Sequence, residues 1–362
     1  MWKLWLKHFL IEAGMQETLR ALLMDGIYKT VAWVIAVMLP PMAIFFPMFT
    51  LLEDFGYLPR IAFNLDGFFH KAKACGKQAL TMSMGFGCNA VGVSGCRIID
   101  SPRERLIAIL TNNFVPCNGR FPTLIAIITM FFTGMVAAPW NGVLSTVLLT
   151  GIIVLGVLLT FWISRLLSMT VLKGVPSSFT LELPPYRKPQ FGKVIVRSIF
   201  DRTLFVLGRA ISVAIPAGVI IWVMANVRIA DITLLTHIST FLDPFARQIG
   251  LDGVILLAFI LGFPANEIVL PIMIMAYMSS SFMMDMGNLW ELKALLIANG
   301  WTWVTAICTM LFSLIHFPCA TTLLTIKKEA GSWKWTLLAF AIPTLTGIIV
   351  CFLVAHFANL FL

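Results

Sequence analysis

Three cysteines in this sequence stand directly beside residues that break helices, in Gly87-Cys88-Asn89, Pro116-Cys117-Asn118 and Pro318-Cys319. A thiolate is a soft ligand suited to late first-row divalent metals, and a neighbouring Gly or Pro interrupts the helix so that the side chain can be aimed into a cavity. Glu267 follows a similar interruption, Gly262-Phe263-Pro264-Ala265-Asn266, inside strongly apolar sequence. An ionisable side chain within a membrane segment costs about 3 kcal/mol or more and is functional by default. Cys88, Cys117, Cys319 and Glu267 are therefore the candidate metal ligands. Asn89, Asn118 and Asn266 border them as carboxamides. Glu53, at the end of the first apolar run, is either a pathway carboxylate or a solvated boundary residue. His316, one turn before Cys319, either ligates metal or caps a helix end. Cys308 and Cys351 lie in plain apolar runs, where a free thiol behaves as a small hydrophobe. Most of the 19 methionines read as lipid-facing or core filler, although a thioether in a cavity also suits a soft cation.

The elements that position these residues form two similar sets. Gly85 lies 177 residues before Gly262, Pro40 lies 176 before Pro216, and a Pro-Cys pair follows each glycine-rich break. Two interruptions at corresponding places in two halves mark the substrate site of a transporter built from repeats. Hydrophobic residues make up 59% of the 362 positions and charged residues 12%, against about 25% charged in soluble domains. The composition is that of an all-α polytopic membrane protein with broken or re-entrant helices and about seven to eight membrane segments. The net charge of +9 falls in loops, where it orients the chain in the bilayer and does not call for nucleic acid. Seven cysteines without close pairing give no disulfide framework.

In chain order, residues 1–28 form an amphipathic N-terminal segment read as an interfacial helix. Residues 29–168 form the first repeat and a linking span, with turn chemistry at Ala138-Pro139-Trp140-Asn141-Gly142. Residues 169–203, rich in Pro, Lys and Arg, form a cytoplasmic connector. Residues 204–362 hold the second repeat and the C-terminal spans. With each break counted as re-entrant, the basic loops 53–105, 169–203 and 327–334 share one side and the acidic stretch 285–293 takes the other. The positive-inside rule makes the first side cytoplasmic. The odd number of crossings between repeat starts makes the repeats inverted. Gly76-Lys77 lacks the remainder of a phosphate-binding loop, and the H-E-x-x-H and G-x-S-x-G patterns are absent, so no catalytic residue and no bound nucleotide is assigned.

Several blocks of sequence go further. Leu51-Leu52-Glu53-Asp54-Phe55-Gly56-Tyr57-Leu58-Pro59-Arg60, Gly85-Phe86-Gly87-Cys88-Asn89, Arg103-Glu104-Arg105-Leu106, Pro116-Cys117-Asn118-Gly119-Arg120-Phe121-Pro122, Phe317-Pro318-Cys319-Ala320-Thr321-Thr322-Leu323 and the stretch from Ile326 to Trp335 together resemble the membrane domain of the bacterial ferrous iron transport protein B family. The resemblance runs from about residue 25 to the C-terminus. It implies two gate repeats around a ferrous-iron pathway, with the motif cysteines at Cys88, Cys117 and Cys319 and Fe(2+) as transported substrate. Where the family's second gate reads Ala-Lys-Glu this chain has Ala265-Asn266-Glu267, and where it reads Cys-Gly-Ala-Arg this chain has Cys117-Asn118-Gly119-Arg120. The family's usual N-terminal GTP-binding domain is not in this sequence, which leads to the expectation of a separate GTP-binding partner on the cytoplasmic loops. The resulting expectation is a homo-oligomeric ferrous iron permease of a bacterial cytoplasmic membrane. The alternatives are a gate-domain transporter of another divalent metal or of a small solute such as a nucleoside, and a non-transporting regulatory subunit.

Overall fold

The computed structural model of the chain describes residues 11–12, 14–133, 140–174, 192, 196, 198–229, 232–280, 282–283 and 288–361. Met1 to Leu10 of the amphipathic segment, Ala138-Pro139 of the turn, most of the 169–203 connector and residues 285–287 of the acidic stretch lie outside the described residues.

Six helices among the described residues are long and apolar enough to cross a membrane: Glu17–Asp54, Pro102–Phe132, Asn141–Met169, Val206–Asn226, Trp303–Ala330 and Trp333–Ala358. A seventh is added if Leu234–Gln248 and Gly253–Leu261, bent by 109°, count as one span. This is the all-α polytopic architecture expected from the sequence, and the apolar sequence around the glycine-rich breaks is cut into short pieces, as expected of broken helices. The helix of 11 residues Lys77–Gly87 and those of 9 residues Gly253–Leu261 and Val269–Tyr277 each rise only about 14–17 Å at 1.5 Å per residue. None of them alone crosses a hydrocarbon core of about 30 Å.

Labelled in chain order, α1 (Lys29–Asp54) continues without a break from helical turns that begin at Glu17, and carries Pro40, Pro41 and Pro47 inside it. It is followed by α2 (Tyr57–Lys71), α3 (Lys77–Gly87), α4 (Asn89–Gly95), α5 (Pro102–Thr111), α6 (Phe121–Ile127) and α7 (Asn141–Met169). The second half holds α8 (Leu204–Asn226), α9 (Leu234–Gln248), α10 (Gly253–Leu261), α11 (Val269–Tyr277), α12 (Leu289–Ala298), α13 (Trp303–Ile315), α14 (Ala320–Ala330) and α15 (Trp333–Phe361). The strands among the described residues, Arg228–Ile229 and Ile232–Thr233, form one two-residue antiparallel ladder.

Position in the molecule follows from which side chains are covered. In the most apolar window of each span, 72% of Trp303–Ala330 and 61% of Pro102–Phe132 are buried, against 6% of Asn141–Met169. The broken helices are thus the centre, and α7 is a peripheral wall that shows Val147, Leu158 and Trp162 to its surroundings. In a lipid solvent such exposed apolar side chains are the expected outer surface. Inside, α10 and α13 lock edge to face through Phe259 and Phe312, with ring centroids 5.0 Å apart.

Some helix starts carry side-chain caps, and others, such as those of α2, α3 and α7, do not. Ser101 accepts from the Glu104 amide ahead of Pro102, and Thr302 accepts from the Thr305 amide at 3.2 Å. The helices that begin at Cys88, Cys117, Ala265 and Cys319 have no side-chain cap.

Candidate functional site

Each of the four uncapped starts turns the chain from extended backbone into a helix. Cys88 stands between α3 and α4 at φ −156°, ψ 124°, and Ala265 occupies the matching place in the second half at φ −154°, ψ 120°. Cys117 opens the short 3-10 turn Asn118–Arg120 at φ −85°, ψ 168°, and Cys319 opens α14 at φ −62°, ψ 158°. A break of this kind leaves backbone groups outside the helical ladder, which lipid does not tolerate unless protein or a cavity surrounds them.

Here the breaks surround one small cavity of about 30 Å³. Cys88, Asn89, Cys117, Asn118, Asn266, Glu267 and Cys319 all line it. A water needs about 10–15 Å³ of such space, so the cavity holds one or two water-sized species, far below the roughly 300 Å³ of a small-molecule site. Met38 and Met42, four residues apart and so on one face of α1, add two thioethers to the wall. Among the described residues, no three His, Cys, Asp or Glu side chains are close enough to hold a metal ion together. The candidate ligands ring the space without being gathered at one point.

The two other residues singled out from sequence lie elsewhere. His316 ends α13 and does not reach the cavity; its Nδ1 meets the carbonyls of Phe312 and Ser313 at 3.0 and 2.9 Å, and its Nε2 meets Asn266 Oδ1 at 3.2 Å. It closes a helix end and touches a residue of the cavity wall. Glu53 is exposed and lines a separate, wider cavity of about 340 Å³ together with Arg97 and Arg209. Of the remaining cysteines, Cys308 and Cys351 pack against each other's carbonyls, at 3.8 and 3.4 Å, away from the site.

Glu267 is buried, and the described residues give its carboxylate no ion pair. Trp33 Nε1 donates to its backbone carbonyl at 3.2 Å. The carboxylate rests on Gly119, where a Cβ would come within 2.7 Å of Glu267 Cδ. Absence of a side chain at 119 is what lets the second break lay its acid against the turn that carries Cys117.

Arg120 is the buried residue beside these breaks that sequence reasoning passed over. It is 1% exposed, yet Nη1 donates to the carbonyls of Asn113 (2.9 Å) and Leu314 (2.5 Å), and Nη2 to Asn113 Oδ1 and the His316 carbonyl, both at 3.1 Å. A guanidinium placed on the last carbonyls of α13 satisfies groups that a helix end leaves open and meets the negative end of its dipole. It also fixes the turn of Cys117 to the chain that leads into Cys319. The available signal was a full charge at the mouth of an apolar segment.

At the end of the molecule that carries the wider cavity, Arg97 forms a two-pronged ion pair with Glu329, 2.6 Å on each arm. Lys77 donates to Asp100 at 2.6 Å and holds that exposed carboxyl below its usual range.

Comparison with known proteins gives this geometry a family. The family described as "Gate: Nucleoside recognition" matches residues 35–132 and 207–333, which include all four breaks. "Ferrous iron transport protein B C terminus" matches residues 149–201. The Fe(2+) transporter FeoB of Staphylococcus aureus (strain COL) is 30% identical over 359 residues, covering 96% of this chain and 50% of that protein. The Fe(2+) transporter FeoB of Methanocaldococcus jannaschii is 29% identical over 354 residues, covering 94% and 50% respectively. A Porphyromonas gingivalis relative is named as a fusion of Fe(2+) transport protein A with FeoB and is 27% identical over 388 residues, covering 94% and 44%. The chain thus spans about half the length of the curated relatives it matches. No solved structure matches it significantly. This multi-pass helical membrane protein belongs to the Gate family and corresponds to the membrane part of ferrous iron transport protein B.

Proposed function

We propose that the chain is the permease path for ferrous iron across the cytoplasmic membrane. The observation that carries this reading is the single cavity of about 30 Å³ on which Cys88, Cys117, Cys319 and Glu267 converge from both halves of the sequence. Three thiols and a carboxylate form a mixed soft and hard donor set suited to a borderline divalent cation. The donors are arranged around the space without a ready-made cage, and a conducting site must bind strongly enough to admit its ion and weakly enough to release it. The size of the cavity argues against a nucleoside as its occupant. Binding requires the thiols and the carboxylate to lose their protons, so uptake is linked to proton release and weakens as pH falls.

The nucleotide that drives or regulates this path acts from outside these 362 residues. A separate GTP-binding protein docked on the basic loops, which include Lys77, Arg97 and Arg105, is the partner this reading implies, and a homo-oligomer in a bacterial inner membrane is the assembly. The test is uptake of Fe(II), Mn(II), Zn(II) and Co(II) by proteoliposomes holding the purified chain under reducing conditions. Selective Fe(II) flux supports the reading, and passage of Mn(II), Zn(II) or Co(II) in preference to Fe(II) overturns it. For the partner, absence of GTP binding by the chain together with co-purification of a GTP-binding protein from native membranes is the expected result.

A further inference from the structure

The thiol cavity and the wider cavity share two wall residues, Val206 and Thr321. The helices that carry them serve both spaces. On α8, Ala210 lines the thiol cavity and Arg209 the wider one; on α14, Thr322 lines the first and Thr325 the second; on α4, Asn89 lines the first and Ser94 the second. Side chains three or four positions apart share a helix face. Val206 with Arg209 and Ala210, and Thr321 with Thr325, therefore make a wall that runs from the thiols to the wider space.

The two spaces differ in access to water. Glu53, Ser94 and Arg97 of the wider cavity are exposed, whereas Val206 is 7% and Thr321 5% exposed. Between them Val206 closes with Met42, Phe46, Cys88 and Ala90 into one apolar cluster. A hydrophobic constriction of this kind stops an ion by excluding its water. On the other side of the neck, the Thr325 hydroxyl accepts from Arg209 at 3.2 Å and donates to the Thr321 carbonyl at 2.8 Å, which fastens the wall of α14 to α8.

We propose that Val206 and Thr321 form the gate between the thiol cavity and a solvated vestibule, on the side of the basic loops, through which the ion exchanges with Cys88. The proposal rests on the reading of the thiol cavity as an ion path. Opening requires Val206 to withdraw from Met42 and Phe46, a movement of α8 in the second half against α1 and α4 in the first.

The test reads access to the native thiols and so does not depend on which ion is carried. Membrane vesicles that present the basic face outward are treated with a membrane-impermeant, charged thiol reagent, and labelling of Cys88 is followed by mass spectrometry with Cys308 as the buried reference. Val206→Ala is expected to speed labelling of Cys88 severalfold while Cys308 stays unlabelled; Thr321→Ser, which removes one methyl group, is the second variant and should act in the same direction. Ser94→Trp, in the vestibule only, is expected to slow labelling and Fe(II) flux together, while the thiolate-to-Co(II) absorption band of the site persists. Labelling at the parent's rate in both gate variants, or labelling of Cys88 from the opposite face alone, overturns the gate. Loss of the Co(II) band in the parent protein would instead overturn the metal reading, and the labelling rates would still decide the gate.

Discussion

At Cys88 the backbone is extended at φ −156°, ψ 124°, and at Ala265, 177 positions later, at φ −154°, ψ 120°; an asparagine follows each and begins the next helical turn. Each asparagine also reaches toward its own half's Pro-Cys break: Asn89 Nδ2 donates to Asn113 Oδ1 at 3.2 Å, and Asn266 Oδ1 meets His316 Nε2 at 3.2 Å. What surrounds this shared backbone differs. Gly87 lets Phe45 of α1 lie where a Cβ would be 2.5 Å from its ring, whereas Pro264 fills that place in the second break. The second break is held instead by the Ala320 amide donating to the Phe263 carbonyl at 2.8 Å. The donors differ as well. The first half supplies two thiols, Cys88 and Cys117, and the second supplies one thiol and one carboxylate, Cys319 and Glu267. Backbone geometry is the repeated part, and side-chain chemistry is divided between the halves. A site built this way is incomplete in either half.

The comparison breaks most severely when both halves lose their soft donors. Replacing Cys88, Cys117 and Cys319 together by Ser, with Cys308 and Cys351 kept, should weaken Co(II) or Fe(II) binding by more than about 100-fold, since removing mere supports of metal ligands already costs about 10–100-fold. Binding at the parent's affinity in a folded triple variant, measured by titration calorimetry, excludes the thiols as ligands.

Removing the hard donor is the next step down. Glu267→Gln keeps the shape of the side chain but not its charge, and should reduce transport by roughly 10–100-fold, the range seen for tuning groups around metals. Because the carboxylate must be ionised to bind, the variant should also release one proton fewer per ion and show a shallower rise of uptake with pH. Proton release in weakly buffered proteoliposomes checks this. An unchanged count would leave Glu267 a purely structural acid.

Much of this arrangement was legible in the sequence, and what escaped it has physical causes. Gly85, Gly87, Pro264 and the paired asparagines mark breaks because polar, helix-breaking residues stand out against apolar sequence, and the equal spacing of the halves gives their correspondence. The cysteines beside those breaks could be separated from Cys308 and Cys351 on the same ground. Arg120 escaped because its partners are carbonyls at the end of α13, and a helix end formed nearly 200 positions away leaves no mark beside the arginine. Glu53 could not be assigned to the wider cavity, because a carboxylate at a helix end looks the same whether it faces a vestibule or open solvent.

A smaller effect is expected at the seam between the halves. Gly119→Ala would place a methyl group against the Glu267 carboxyl, 2.7 Å from Cδ and 3.3 Å from Cγ, and overpacking of this kind costs about 1–3 kcal/mol. Metal affinity and thermal stability should both fall. Combining it with Glu267→Asp shortens the acid by one methylene and should recover stability more than affinity. If Gly119→Ala alone changes neither quantity, the contact between the halves at this point carries no weight.

The mildest change sharpens the comparison by exchanging the donors and leaving their number alone. Ala265 lines the same cavity as Cys88, is 5% exposed, and has nearly the same backbone angles, so a cysteine there should point its sulfur into the space from the other half. Cys88→Ala alone removes one of three thiols and should weaken Co(II) binding. Adding Ala265→Cys restores the thiol count from the opposite wall, with one extra sulfur atom in a tightly packed position, an overpacking that costs about 1–3 kcal/mol. The double variant should therefore bind Co(II) more tightly than Cys88→Ala and within roughly 10–100-fold of the parent, as 1.4 kcal/mol corresponds to a factor of ten. Its absorption band should report the same number of thiolate ligands. Recovery of that band means that either half can present the sulfur because the backbone is shared. A double variant no better than Cys88→Ala means that the cavity distinguishes its two walls, and that the matching angles at Cys88 and Ala265 reflect only how the breaks are built.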